Sequence, residues 1–300
     1  MHVVLAYIFV TLLWATTPLA IKWSAEGFSY LFAAGARMTL GLLCLGLVFL
    51  ISRQVLPRHA KALQAYLAVS VQIFGSMLLV YWSAPLIPSG WISVIFGLTP
   101  LLTALLAALW LKQRSLHPAK LVSYVLGIGG LAYIFGSATL AGKHAVFGIC
   151  GVLLATLMQS IGAVWLEKIR SELPALTQVT GGLILSVPLY ILTWLILDGQ
   201  WPSQFPIRSF AATVYLGIVA TAIGFVLYYY ILKKLGSVRV ALVTLTSPVL
   251  SLVLGHIANQ EPLTLNIIVG TAMILTALAV HILSEIPTKR QGPKKAAKAA

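Results

Sequence analysis

The amino-acid sequence predicts an all-α integral membrane protein of ten transmembrane helices, arranged as two inverted five-helix repeats. Three observations carry this. The chain is 60% apolar or aromatic and only 9% charged, whereas soluble domains run near a quarter charged; its mean hydropathy is +0.98. Apolar runs of about 20 residues, each enough to cross a bilayer as a helix, recur from end to end. Finally, residues 76–113 align without a gap on 224–261 at a constant offset of 148. Tyr81 then falls on Tyr229, Trp82 on Tyr230, Ser89 on Ser237, Pro100 on Pro248, Leu102 on Leu250 and Leu106 on Leu254. A duplicated membrane unit is the mark of many secondary transporters, whose substrate sites lie between the halves.

Taken in order, the spans read 3–21, 30–51, 62–82, 86–111, 117–137, 145–166, 176–197, 208–231, 237–258 and 263–284. Charge and turn residues gather in the breaks at 52–61, 111–120, 142–144, 167–174 and 198–206. A short link, 83–89, holds Pro85 and Pro88 and separates the third span from the fourth. Residues 1–142 make the first repeat and 143–286 the second, while 287–300 form a Lys- and Ala-rich tail that reads as disordered. No long polar stretch offers a soluble domain. Met1–His2 gives no basic n-region, so a cleaved signal peptide is not expected.

The basic residues set the orientation. With loops sorted alternately, the side of the N-terminus receives sixteen Lys and Arg, and the other side only Lys22, Lys143 and Arg208. Cytoplasmic loops carry such an excess, so both termini are expected in the cytoplasm, with the chain in the inner membrane. Five spans per repeat is an odd number, which inserts the second half upside down and produces an inverted pair. The net charge of +14 is scattered over short loops rather than clustered on one face, so no nucleic-acid partner is expected. The partners are a small-molecule metabolite and the lipid bilayer, with the chain a monomer or a homodimer. Cys44 and Cys150 sit inside apolar runs and read as buried packing residues, not a disulfide framework.

One pattern is more specific: Pro, an apolar helix, then a Glu-containing turn. It stands here as Pro248-Val-Leu-Ser followed by Asn259-Gln260-Glu261-Pro262-Leu263-Thr264, with Pro100-Leu-Leu-Thr and Gln113-Arg114-Ser115-Leu116 as its first-half partner. Together with Trp14 and Arg37, it resembles the EamA-type branch of the drug/metabolite transporter superfamily, over residues 3–284. The chain departs from that pattern at Gln113, where the family carries Glu, and at Gln159–Ser160, where members often carry Trp-Ala. The resemblance implies a central cavity lined by spans 1, 3, 4, 6, 8 and 9, and small metabolites as substrates, often amino acids and related compounds leaving the cell. It also implies that the Glu replaced by Gln113 caps or anchors a helix junction; Glu261 itself reads as a helix-terminus or loop partner, or as facing a vestibule.

Candidate site residues follow from chemistry that lipid tolerates badly. All six acids lie in links or at span ends, so no carboxylate at depth stands ready to carry a proton or sodium ion. Arg37 is the one cation inside a span; it can pair with a substrate carboxylate or satisfy backbone carbonyls. Trp14, Tyr81, Trp91, Trp165 and Tyr229 present aromatic faces suited to amphiphilic or cationic ligands, with an interfacial belt as the alternative for several of them. Gln72, Thr99, Gln159 and Ser247 are polar residues within spans, serving either substrate or helix–helix hydrogen bonds. Pro18, Pro100, Pro188 and Pro248 are expected to interrupt their helices, and the equivalent pair Pro100 and Pro248 to act as hinges. Gly127, Gly129 and Gly130 read as close-packing residues. No His/Cys/Asp cluster has metal-ligand spacing, and no phosphate loop is present, so no metal, cofactor or ATP hydrolysis is expected. The competing functions are import or exchange of a sugar or phosphorylated metabolite, and an intramembrane lipid-acting enzyme.

Overall fold

A computed structural model describes residues 3–111, 118–141, 143–224, 227, 231 and 237–285, with side chains described for all of these except 137–141, 237–244 and 285. Among the described residues the secondary structure is entirely helical. The helices are α1 (Val3–Gly27), α2 (Tyr30–Ile51), α3 (Ala60–Ser83), α4 (Ser89–Trp110), α5 (Pro118–Ala141), α6 (Lys143–Ile169), α7 (Ala175–Leu197), α8 (Ile207–Ile223), α9 (Ser237–Asn259) and α10 (Leu265–Glu285). Eight are long and apolar enough to cross a bilayer; α8 and residues 245–259 of α9 are apolar but shorter. Isolated helices this apolar need no amphipathic stripe, because the solvent around them is itself apolar. The outer surface shows this directly: Leu43, Leu47, Leu50 and Ile51 of α2, and Leu192, Leu195, Ile196 and Leu197 of α7, are exposed. Contiguous apolar surface of that extent belongs against lipid.

Two of the helices change hydrogen-bond register along their length. Val71–Ser76 of α3 and Tyr215–Ile223 of α8 are π-helical. The offset of 148 carries 71–76 onto 219–224, so the two widened stretches overlap as repeat equivalents. Such bulges are rare and are often found at functional positions, since the wider turn frees backbone carbonyls for other donors. The prolines behave differently from expectation. Pro18, Pro188 and Pro248 lie inside unbroken helices. Only α4 is interrupted, at Gly97–Leu98, with Pro100 in the first turn after the break. There the Pro100 ring cannot donate to Phe96 O, and the Thr99 hydroxyl takes that carbonyl instead at 2.6 Å. The paired interruption is thus present in one half only.

The most extensive packing pairs are α1 with α8 and α9, α6 with α3 and α4, α2 with α7 and α8, α3 with α7, α4 with α9, and α5 with α10. Exchanging α1–α5 for α6–α10 maps this set onto itself: α2–α7, α4–α9 and α5–α10 each return to themselves, and the other pairs exchange with one another. The α5–α10 contact depends on glycine: a Cβ on Gly130 would lie 2.6 Å from the Gly270 carbonyl oxygen, and one on Gly270 would lie 2.7 Å from that of Gly130. Gly41 and Gly217 do the same at the α2–α8 crossing, against Thr221 and Leu40. In lipid, where apolar burial does not drive association, such close backbone approach is what binds helices. One large core cluster includes Tyr81, Trp91 and Tyr190. A second, smaller one gathers Ala6, Val10 and Ile231, with Tyr7, Trp14 and Leu227 against it. Cys150 is exposed and Cys44 half-buried, not both buried as expected; facing lipid, an apolar thiol gains nothing by burial.

Candidate functional site

Two polar nodes join the halves of the chain. The first lies in the membrane-embedded part. Arg37, in the third turn of α2, is 6% exposed. Its Nε donates to Thr221 Oγ1 at 3.2 Å, in the π-helical stretch of α8. On the other side, Tyr190 of α7 is fully buried and donates its hydroxyl to Ile73 O at 2.7 Å, in the π-helical stretch of α3. The Tyr190 ring also meets Phe74 edge-on, with centroids 5.0 Å apart. Since 221 − 73 = 148, the two residues that receive these bonds are repeat equivalents. Each widened turn is held by a polar side chain from the neighbouring helix of the opposite half. Arg37 and Tyr81 both lie within electrostatic range of Tyr190. Arg37 Nη1 and Tyr81 Oη are buried and have no hydrogen-bond partner among the described residues.

The second node is at the end of the bundle where α1 and α9 finish and α4 begins. Glu261 is only 7% exposed although it lies in a link. Its Oε2 accepts from Ser89 Oγ at 2.9 Å and from Gly90 N at 3.4 Å, which satisfies donors at the start of α4. Asn259 Nδ2 donates to its other oxygen at 3.2 Å, and Lys22 Nζ stands 3.5 Å from that same oxygen. Lys22 also donates to Ile87 O at 2.9 Å. Asn259 Oδ1 in turn accepts from Trp23 Nε1 and Arg208, and the Arg208 guanidinium lies 4.2 Å from the centre of the Trp23 ring. Gly255 makes room: a Cβ there would collide with Glu261 Oε2. Glu261 is therefore the helix-terminus partner that the sequence suggests. Its burial was not expected from its place in a link.

The structure brings some sequence-predicted residues together and separates others. Gln72 Nε2 donates to the Gln159 carbonyl at 3.2 Å, and Ser160 Oγ to the Thr99 carbonyl at 3.3 Å, so Gln72, Thr99 and Gln159 meet around one turn of α6. Tyr81 and Tyr190 share the main core, and Arg37 reaches across from α2 to Thr221. Trp91 is 4% exposed, inside the main core, and its Nε1 lacks a partner among the described residues. Ser247 and Pro248 are buried on α9, while Trp165 is half-buried on α6. Trp14 stands apart in the smaller cluster. Tyr229 and Gln113 lie outside the described residues. Sequence reasoning selected neither Tyr190 nor Thr221 as a site residue. The offset that aligns Thr221 with Ile73 was the available signal.

A scan against protein families matches residues 1–136 and 146–283 to the EamA-like transporter family. The chain belongs to that family. It is accordingly a multi-pass membrane protein of the drug/metabolite transporter superfamily, a transporter of metabolites. Among similar EamA-like relatives is the uncharacterized transporter YoaV of Bacillus subtilis, 24% identical over 93% of this chain and 96% of that one. Another is a probable amino-acid metabolite efflux pump of Escherichia coli, 25% identical over 91% of this chain and 92% of its own length. An uncharacterized transporter of Archaeoglobus fulgidus is 25% identical over 90% of this chain and 94% of its own. A crystallised protein shares the fold, with a TM-score of 0.65 at 23% identity over 94% of this chain and 96% of that one.

Proposed function

We propose that the chain exports amino acids or amino-acid-derived metabolites across the inner membrane, by alternating access between two inverted five-helix repeats. The observation that carries the reading is the set of most extensive packing pairs, which maps onto itself when residues 1–142 are exchanged for 143–286. A pair of equivalent units that pack mainly on one another is what alternating access needs: one unit rocks on the other around a shared site. The equivalent π-helical stretches of α3 and α8 supply a place where each unit bends. The family and its amino-acid metabolite efflux relative support the substrate class.

In this reading the helices make ten spans, and both termini are cytoplasmic because sixteen basic residues fall on the N-terminal side and three on the other. Glu261, Lys22 and Arg208 then close the outer face. Trp14, Arg37, Gln72, Tyr81, Trp91, Thr99, Gln159, Trp165, Tyr229 and Ser247 face or border the transport path, with Pro100 and Pro248 as hinges. Phosphorylated substrates are disfavoured, since phosphate recognition calls for several convergent cations and Arg37 is the one cation placed well away from the ends of a span. The test is an uptake screen in proteoliposomes over amino acids and related metabolites. Saturable, protein-dependent movement of at least one amino acid is expected. Movement confined to sugars or phosphorylated compounds would replace the substrate class. A reporter fused after Ala300 that is active only in the periplasm would overturn the orientation.

A further inference from the structure

We propose that Arg37 is the anchor for a carboxylate on the transported metabolite, held with Tyr81 beside the π-helical stretch of α8; this rests on the transporter reading above. The argument is a comparison of the two clamps. At α3, the neutral hydroxyl of Tyr190 holds the widened turn through Ile73 O at 2.7 Å, and its donor is used. Holding a widened turn therefore needs no charge. At α8, the equivalent position Thr221 is held by a guanidinium, which spends Nε on the task and keeps Nη1 free of any partner among the described residues.

The charge is also uncompensated. Among the described residues, Glu261 pairs with Lys22 and Glu26 with Arg208 at the other polar node, and the chain's six acids lie in links or at span ends. A cation taken out of water and left without a partner is strongly disfavoured, so a charge kept at 6% exposure calls for an anion. Tyr81 adds a second donor: its side chain is fully buried, its hydroxyl has no partner among the described residues, and it shares the neighbourhood of Tyr190. A planar guanidinium and a phenol suit a carboxylate, which takes paired donors on its two oxygens. Arg37 and Thr221 belong to opposite halves, so an anion here competes for a contact that ties the two together. Occupancy and rearrangement would thus be coupled through the same side chain.

The experiment uses the full chain, purified in detergent and then reconstituted. Common L-amino acids, pyruvate, lactate, succinate and benzoate are screened for binding by thermal shift, and each hit is compared with its carboxamide in binding and in proteoliposome counterflow. Wild type is expected to prefer the acid. Arg37→Gln is expected to raise the half-saturating concentration of the acid by about tenfold or more while moving that of the amide less than about twofold. Arg37→Lys, which keeps the charge but loses the planar fork, is expected to restore part of the preference. Equal weakening of acid and amide would overturn the proposal and leave Arg37 a positioning residue. So would wild type that binds acid and amide alike, a comparison that stands even if the Arg37→Gln chain does not fold. Wild type that binds none of the acids overturns it too; transport of uncharged or cationic metabolites in the uptake screen would then leave the transporter reading intact.

Discussion

Lys22 and Arg37 are both cations packed among helices of both halves, and they are treated in opposite ways. Lys22 has a carboxylate at 3.5 Å and a carbonyl at 2.9 Å. Its partner Glu261 is shared with Ser89, Gly90 and Asn259, so nearly every donor and acceptor in that node is matched. Arg37 has one hydroxyl at 3.2 Å and an unused donor. A matched buried pair holds structure, because removing either member strands the other. An unmatched buried charge lowers stability and persists where function needs it. The difference separates a junction that fastens the halves from a node whose charge is left unmatched among the described residues.

Substitutions at the two nodes should differ in sign. Glu261→Ala strands Lys22 and two donors at the start of α4, and is expected to cost about 3 kcal/mol, seen as a lower melting temperature and lower folded yield in detergent. Glu261→Gln should cost less, since its amide oxygen still accepts from Ser89. Thermal melting that is unchanged in Glu261→Ala would remove the junction from the account. Tyr190→Phe deletes one buried hydrogen bond and is expected to cost about 1 kcal/mol, with acid and amide substrates affected alike. Arg37→Leu, which copies Leu185 at the equivalent position of the second half, is expected to raise stability by up to about 1 kcal/mol, as the unpaired charge disappears. If Arg37→Leu instead melts as early as Glu261→Ala, the guanidinium is structural and the comparison collapses.

The spans were legible in the sequence because lipid imposes a plain demand: about 20 apolar residues with every backbone group bonded internally. Their ends were less so. The first span was placed at 3–21, yet α1 continues to Gly27, since Lys22, Ser24 and Glu26 keep the helix going beyond the apolar run and into the outer node. The Pro248 and Pro100 equivalence suggested matching breaks, but an embedded proline needs only one freed carbonyl answered, and α9 runs through it unbroken. The π-helical stretches carry no mark of residue type, and only the packed structure shows them. Of the candidate residues, Arg37 was conspicuous as a charge in a span. Its partner Thr221 lies 184 residues away in the other half, and no local pattern joins the two.

The account stands most directly on counterflow. Proteoliposomes loaded with an excess of an unlabelled amino acid, at equal pH and with no membrane potential, are given the same amino acid in labelled form outside. For at least one amino acid the label should accumulate transiently above its equilibrium level in wild type, and not in protein-free vesicles, because a site exposed alternately to either side exchanges one molecule for another. Folded wild-type protein that shows no such overshoot with any amino acid or amino-acid-derived metabolite, while the orientation in the vesicles is verified, would contradict amino-acid export by alternating access.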